Sequence, residues 1–282
     1  MLAVPTLIDL TLFPYWWLQL VAFGFGVIIG SFLNVYIYRF HTGKSLSGNS
    51  HCLSCGASLR WFELFPLFSY LILRGRCRTC GSRIPCRYFL VELATGVLFV
   101  LSLTLSLNIF IVILFWFIFS VLMVITVYDL YHFIIPDRLT IILTFSVLVL
   151  IGYEYLLLPQ DWEVLTFRFL SALFGSAFLL FLWVISKGKW LGFGDVKLAF
   201  PLGLLVGTPF VFSFVVLSFW IGAVISLIVI GWQKLKRGQS RLHFAGRALT
   251  MKSAVPFAPF LVASGLVIIF TKLNVLELFS FF

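Results

Sequence analysis

Charge is what this sequence most lacks. Only 11% of its 282 residues are charged, ten of them acids, while 62% are apolar. Soluble domains average about 25% charged and about 45–50% apolar. A water-soluble globule of this length has too little interior to hide that much apolar surface. A cytosolic enzyme, a secreted disulfide scaffold and a disordered chain are therefore excluded. The period-two alternation of barrel strands is missing as well; stretches such as IFIVILFWFIFSVLMVITV are continuously apolar. The flank MLAVPTLIDLTLFP has no basic run and no small-residue cleavage site follows it, so the first apolar run reads as a retained span. There is no internal repeat and no low-complexity segment. No G-x-G-x-x-G follows a strand, so no Rossmann-type cofactor site is expected.

What is present is a series of apolar runs, near 16–38, 90–107, 109–128, 139–158, 166–186, 196–209, 210–231 and 254–273. At roughly 20 residues per span, eight helices account for the apolar fraction. The expectation is an all-α polytopic membrane protein with about eight transmembrane helices. The sixth run is short and carries Pro201, which implies a tilted, broken or shielded helix.

The 20 Lys and Arg against 10 Asp and Glu report orientation. Arg39 to Arg87 holds eight bases and one acid, Glu63; Lys234 to Lys252 holds six bases and no acid; a third link holds Lys187 and Lys189. The link GYEYLLLPQDWEVLT carries Glu154, Asp161 and Glu163 and no base. Eight spans with the N-terminus outside put every basic link in the cytoplasm, as the positive-inside rule requires. The net charge of +10 then marks a membrane side, and no nucleic-acid partner is expected.

The loop between the first two spans contains two C-x-x-C pairs, Cys52/Cys55 and Cys77/Cys80, with 21 residues between them. Thiolates at i and i+3 on a tight turn can point at one ion, and Gly56 and Gly81 directly follow the pairs. In a reducing compartment this reads as a structural zinc site with four sulfur ligands. The ion would supply folding energy to a loop too small for a core of its own. Cys86 falls outside the pattern, and His51 is a weaker ligand candidate than the four sulfurs.

Among ten acids, position is informative. Asp129 ends the third span, Asp137 follows before the fourth, and Asp195 opens the sixth in LGFGDVKL. All three fall at the cytoplasmic membrane edge, where a buried carboxylate costs a few kcal/mol. Asp129 and Asp195 could share one proton and divide base and acid roles as aspartic proteases do. Gly192 and Gly194 would let backbone come close beside Asp195 and leave room for an extended peptide. Asp195 could instead cap the sixth helix, and capping is the preferred reading of Asp137 after Pro136. Capping does not suit Asp129, which closes an apolar run. A proton relay in an ion-coupled transporter would use the same pair of edge acids, and the residues alone leave both readings open. Transporters usually place their sites at the midplane between repeated halves, which counts against the relay.

Several motifs are shared in order with one family. They are GSFLNVYIYR at 30–39, the double C-x-x-C enclosing PLFSYLILRGRC, RYFLVELATG at 87–96, DLYHFIIPD at 129–137, GFGDVKLAFPLG at 192–203 and VPFAPFLVASG at 255–265. With these the chain resembles the bacterial type IV prepilin peptidases, membrane aspartic proteases of the G-x-G-D type. The resemblance implies catalytic aspartates at Asp129 and Asp195, with Asp137 in a supporting role. It implies cleavage of the basic leader of type IV prepilins or pseudopilins after a Gly at the cytoplasmic face of the inner membrane. It further implies N-methylation of the new N-terminal residue from S-adenosylmethionine. The segment division expected is 1–38 first helix, 39–89 tetracysteine region, and 90–282 seven-helix membrane peptidase. Departures from the family pattern at Leu53, Phe62, Glu63, Leu64, Pro85, Cys86 and Phe89 fall in the loop and its exit, the region associated with methylation. Glu92, the one acid at the start of the second span, is the candidate there; its alternatives are helix capping or pairing with Arg87.

Overall fold

A computed structural model describes residues 10–40, 48, 50–157, 161–235, 243–244, 247–248 and 255–280. Lys44 and most of the basic segment 234–252 lie outside the described residues, as does most of the N-terminal flank. The chain divides into two compact units, Met1–Val124 and Ile125–Phe282.

In the first unit, α1 (Tyr15–Arg39) leads into the cysteine loop. The loop contains a 3-10 turn (Trp61–Leu64) and the short helix α2 (Phe68–Ile72), and it ends at α3 (Arg87–Ser102). Helices α1 and α3 pack closely because glycines let their backbones approach. A Cβ at Gly26 would come 2.7 Å from Gly96 Cα, and one at Gly30 would come 2.7 Å from Glu92 Cα. Small residues at such spacing are how membrane helices gain van der Waals contact without a hydrophobic drive. The start of α4 (Ile109–His132) completes the unit: Trp116 stacks on Phe99 at 4.8 Å and donates its indole N–H to Ser102 Oγ at 2.9 Å.

The second unit begins within α4 and continues through α5 (Asp137–Leu157), α6 (Trp162–Ser186), α7 (Phe193–Val206) and α8 (Val211–Leu235). A pair of two-residue strands (His243–Phe244 and Arg247–Ala248), α9 (Ala258–Thr271) and α10 (Val275–Ser280) follow. Helix α7 lies at the centre, packed against α5, α6, α8 and α9. Ten of its fourteen residues are buried. Gly203 approaches Ala172 of α6, and Ser176 Oγ donates to Val196 O at 2.8 Å.

Each of the eight expected spans has its helix, and the chain is a multi-pass membrane protein. Five helices, α1, α4, α5, α6 and α8, are long and apolar enough to cross a membrane alone. The other three are shorter: α3 has 16 residues, α7 and α9 have 14 each. Fourteen residues rise about 21 Å, less than the roughly 30 Å hydrocarbon core. Such lengths are tolerated where neighbours, rather than lipid, surround the helix ends. For α7 the expectation of shielding holds: the helix runs unbroken through Pro201, which is buried. The link read as free of bases also meets one in space, because Arg168 of α6 binds Glu154 Oε2 at 3.2 Å and donates Nε–H to Leu204 O at the end of α7.

Candidate active site and metal centre

The two C-x-x-C turns repeat one hydrogen-bond pattern. Cys52 N–H donates to Ala57 O and Gly56 N–H to Cys52 O; Cys77 N–H donates to Ser82 O and Gly81 N–H to Cys77 O. Each turn closes through a glycine at positive φ, +72° at Gly56 and +70° at Gly81, where a Cβ would be strained. Short bridges, His51 to Ser58 and Arg76 to Arg83, staple the turns shut. The result places four Sγ atoms, of Cys52, Cys55, Cys77 and Cys80, within 4.8 Å of one another. Cys52 Sγ and Cys80 Sγ lie 3.9 Å apart. Sulfurs about 2.3 Å from a tetrahedral ion would be about 3.8 Å from each other, so the cluster can hold a metal ion. Backbone N–H groups of Cys55 and Ser54 lower the Cys52 thiol to about 6, towards the thiolate a metal needs. Cys86 stands outside the cluster, at the start of α3.

Beside these turns the first unit forms a partly open cavity of about 510 Å³. Ser31, Asn34 and Tyr38 of α1 line it together with Glu63, Tyr88 and Glu92. Asn34 is 2% exposed; its Nδ2 donates to Tyr88 O at 3.0 Å, and its buried Oδ1 has no partner among the described residues. Glu92 is not a cap of its own helix. It is the sixth residue of α3, and its Oε2 accepts the Leu67 N–H at 2.8 Å.

The three edge acids fall in the second unit and differ sharply. Asp129 and Asp195 are buried, 4% and 6% exposed, and lie within electrostatic reach of each other. Each has one oxygen held by a backbone amide at the start of a helix. Asp195, third residue of α7, accepts the Gly192 N–H at 3.1 Å through Oδ2, while its buried Oδ1 has no partner among the described residues. The capping reading of Asp195 therefore accounts for one of its two oxygens. Asp129 Oδ2 accepts the N–H of Ala258, the first residue of α9, at 3.3 Å. Asp129, whose place at the end of an apolar run does not suit capping, does serve a helix N-terminus, but one 129 residues away.

Asp137 opens α5 as expected of a residue after Pro136, yet its carboxylate is exposed and binds Lys197 Nζ at 2.8 Å. Gly194 is needed for close approach: a Cβ there would lie 3.0 Å from Ile135 Cβ in the α4–α5 link. A Cβ on Gly192 would stand 3.2 Å from Asp195 Oδ2. The sequence reading missed Lys197, Ile135 and the Ala258 amide. The prolines of VPFAPFL, Pro256 and Pro259, were the available signal for a helix beginning at that point.

Two family descriptions match the chain: "Bacterial Peptidase A24 N-terminal domain" over residues 25–106 and "Type IV leader peptidase family" over residues 116–227. Among curated relatives, a prepilin leader peptidase/N-methyltransferase of Myxococcus xanthus is 33% identical over 74% of this chain, and the match spans 62% of that relative's length. Proteins of the same name from Xanthomonas campestris and Bacillus subtilis are 30% and 29% identical, over 88% and 87% of this chain and 90% and 91% of theirs. No solved structure matches. The transporter reading finds no support among these relatives.

Proposed function

The chain belongs to the type IV leader peptidase family, and we propose that it removes the leader of type IV prepilins or pseudopilins after a Gly, with Asp129 and Asp195 as the catalytic pair. One carboxylate is ionised and takes a proton from water as the water oxygen bonds to the scissile carbonyl carbon. The other is protonated and donates to the carbonyl oxygen. Collapse of the tetrahedral adduct breaks the C–N bond, and the leaving amine takes up a proton from the pair. The observation that carries this reading is the contrast within Asp195: one oxygen tied by an amide, the other buried, without a partner among the described residues and within electrostatic reach of a second buried acid. The amides at Gly192 and Ala258 hold the two side chains in fixed orientation, and Asp137 supports through Lys197. The test is cleavage of a co-expressed prepilin by Asp129→Asn and Asp195→Asn proteins that still insert. Neither should process it; normal processing by either overturns the pair.

The active site faces the cytoplasm in the bacterial inner membrane, with lipid around the helices and no nucleic-acid partner. The functional division is the first helix at 1–38, the tetracysteine region at 39–89 and the membrane peptidase at 90–282. Zinc occupies the four-cysteine cluster as a structural ion, about one per chain by elemental analysis. The second activity is N-methylation of the new N-terminus, for which S-adenosylmethionine supplies an electrophilic methyl group when bound. The first-unit cavity suits such a ligand in size, with Glu92 and Asn34 Oδ1 to meet its cationic and hydrogen-bonding groups. Photocrosslinking of labelled S-adenosylmethionine to the wild-type chain should mark this cavity and weaken in Glu92→Gln. Equal labelling of that variant would remove Glu92 from the site.

A further inference from the structure

The segment between the two cysteine turns exposes apolar side chains that no spanning helix accounts for. Trp61 is 75% exposed, Phe68 65% and Ile72 78%; Leu64, Phe65 and Leu71 are exposed alongside them. The run Trp61–Ile72 has twelve residues, too few to cross a bilayer. Its inner side is anchored. Leu67 is buried, its N–H is bound by Glu92, and the Tyr70 ring packs 5.4 Å from the Phe89 ring.

Those anchors fix a depth. Glu92 lies five residues into α3, about 7.5 Å along the axis from Arg87. Arg87, as the basic residue opening a membrane helix, belongs at headgroup level. The outward apolar side chains therefore sit level with the first two turns of α3, within the roughly 5–10 Å to which in-plane helices sink. Exposed bases flank the run at Arg60, Arg74, Arg76 and Arg78. Its one acid, Glu63, is turned back onto the Arg60 N–H at 2.7 Å. Aromatic and aliphatic side chains on one side and arginines at the rim match a membrane surface carrying acidic headgroups.

We propose that Trp61–Ile72 is an in-plane membrane anchor that seats the tetracysteine region on an acidic lipid leaflet. The metal cluster then rides on the bilayer surface, held by lipid between its two turns as well as by α1 and α3.

The test uses the full chain in nanodiscs of phosphatidylglycerol bearing a carbene-generating group near the top of one acyl chain. After irradiation, mass spectrometry should find lipid adducts within 61–72 at a yield comparable with the lipid-facing side of α1. Phe68→Glu with Ile72→Glu changes only exposed positions. It should lower the 61–72 yield several-fold while α1 labelling holds, and exchange into phosphatidylcholine should lower it by a smaller factor. Absence of adducts in 61–72 with α1 labelled overturns the anchor, as does labelling indifferent to the two glutamates. A yield unchanged in phosphatidylcholine overturns the requirement for acidic headgroups. Crosslinks from 61–72 to another protein chain in place of lipid would assign the surface to a protein partner and overturn the proposal.

Discussion

The two units hold their chemistry in opposite ways. The cysteine cluster in the first unit is made locally: its members Cys52 and Cys80 are 28 residues apart, and each turn is closed by its own backbone hydrogen bonds. The acid pair in the second unit is made at long range. Asp129 takes its amide from 129 residues away, and Asp195 comes within electrostatic reach of it from α7, a helix buried among its neighbours. A local site can be weakened one turn at a time. A long-range site depends on helix packing to tenths of an ångström.

The largest effect that would break this contrast lies in the second unit. Asp129→Asn or Asp195→Asn should lower leader cleavage by about 10²–10⁴-fold or more, measured on a prepilin substrate, while the metal content of the first unit stays unchanged. Loss of metal in either variant would mean that the units are not chemically separate. Next, Cys77→Ser removes the buried member of the cluster. Metal should fall from about one ion per chain to none by elemental analysis, with loss of binding energy that reaches about 10 kcal/mol in small zinc domains. Peptidase activity should outlast the metal.

A smaller effect sharpens the packing argument. Gly194→Val presses a branched side chain onto Ile135, where even a Cβ would lie at 3.0 Å. Misplacement of Asp195 by about 1 Å can cost about 10²-fold, and Ile135→Ala in the same chain should recover part of that loss. Rescue by the second substitution is the signature of steric misplacement; a Gly194 needed for backbone freedom alone would show none. Smallest is Asp137→Asn. An exposed ion pair contributes about 0.2–1 kcal/mol, and both partners here are substantially exposed. Most cleavage should remain; complete loss would move Asp137 into the catalytic pair.

Much of this was legible beforehand because it rests on composition or on neighbours in sequence. Continuous apolar runs require helices in lipid, since every backbone group must be satisfied within its own segment. The C-x-x-C-Gly repeat dictates its turn because only glycine adopts the closing φ without strain. Asp129 and Asp195 stood out because a carboxylate at a membrane edge is costly and the chain has few acids. By itself the sequence therefore determined the helical membrane class and singled out the four cysteines that cluster and the two acids that are buried. Only the tertiary structure decided the rest. The Ala258 amide that holds Asp129, the contact of Gly194 with Ile135, the shortness of α3 and α9, and the cavity joining Asn34 to Glu92 follow from which helices meet. In a chain so uniformly apolar, hydrophobic pattern says little about that choice. Close packing at glycines and a few long-range hydrogen bonds make it.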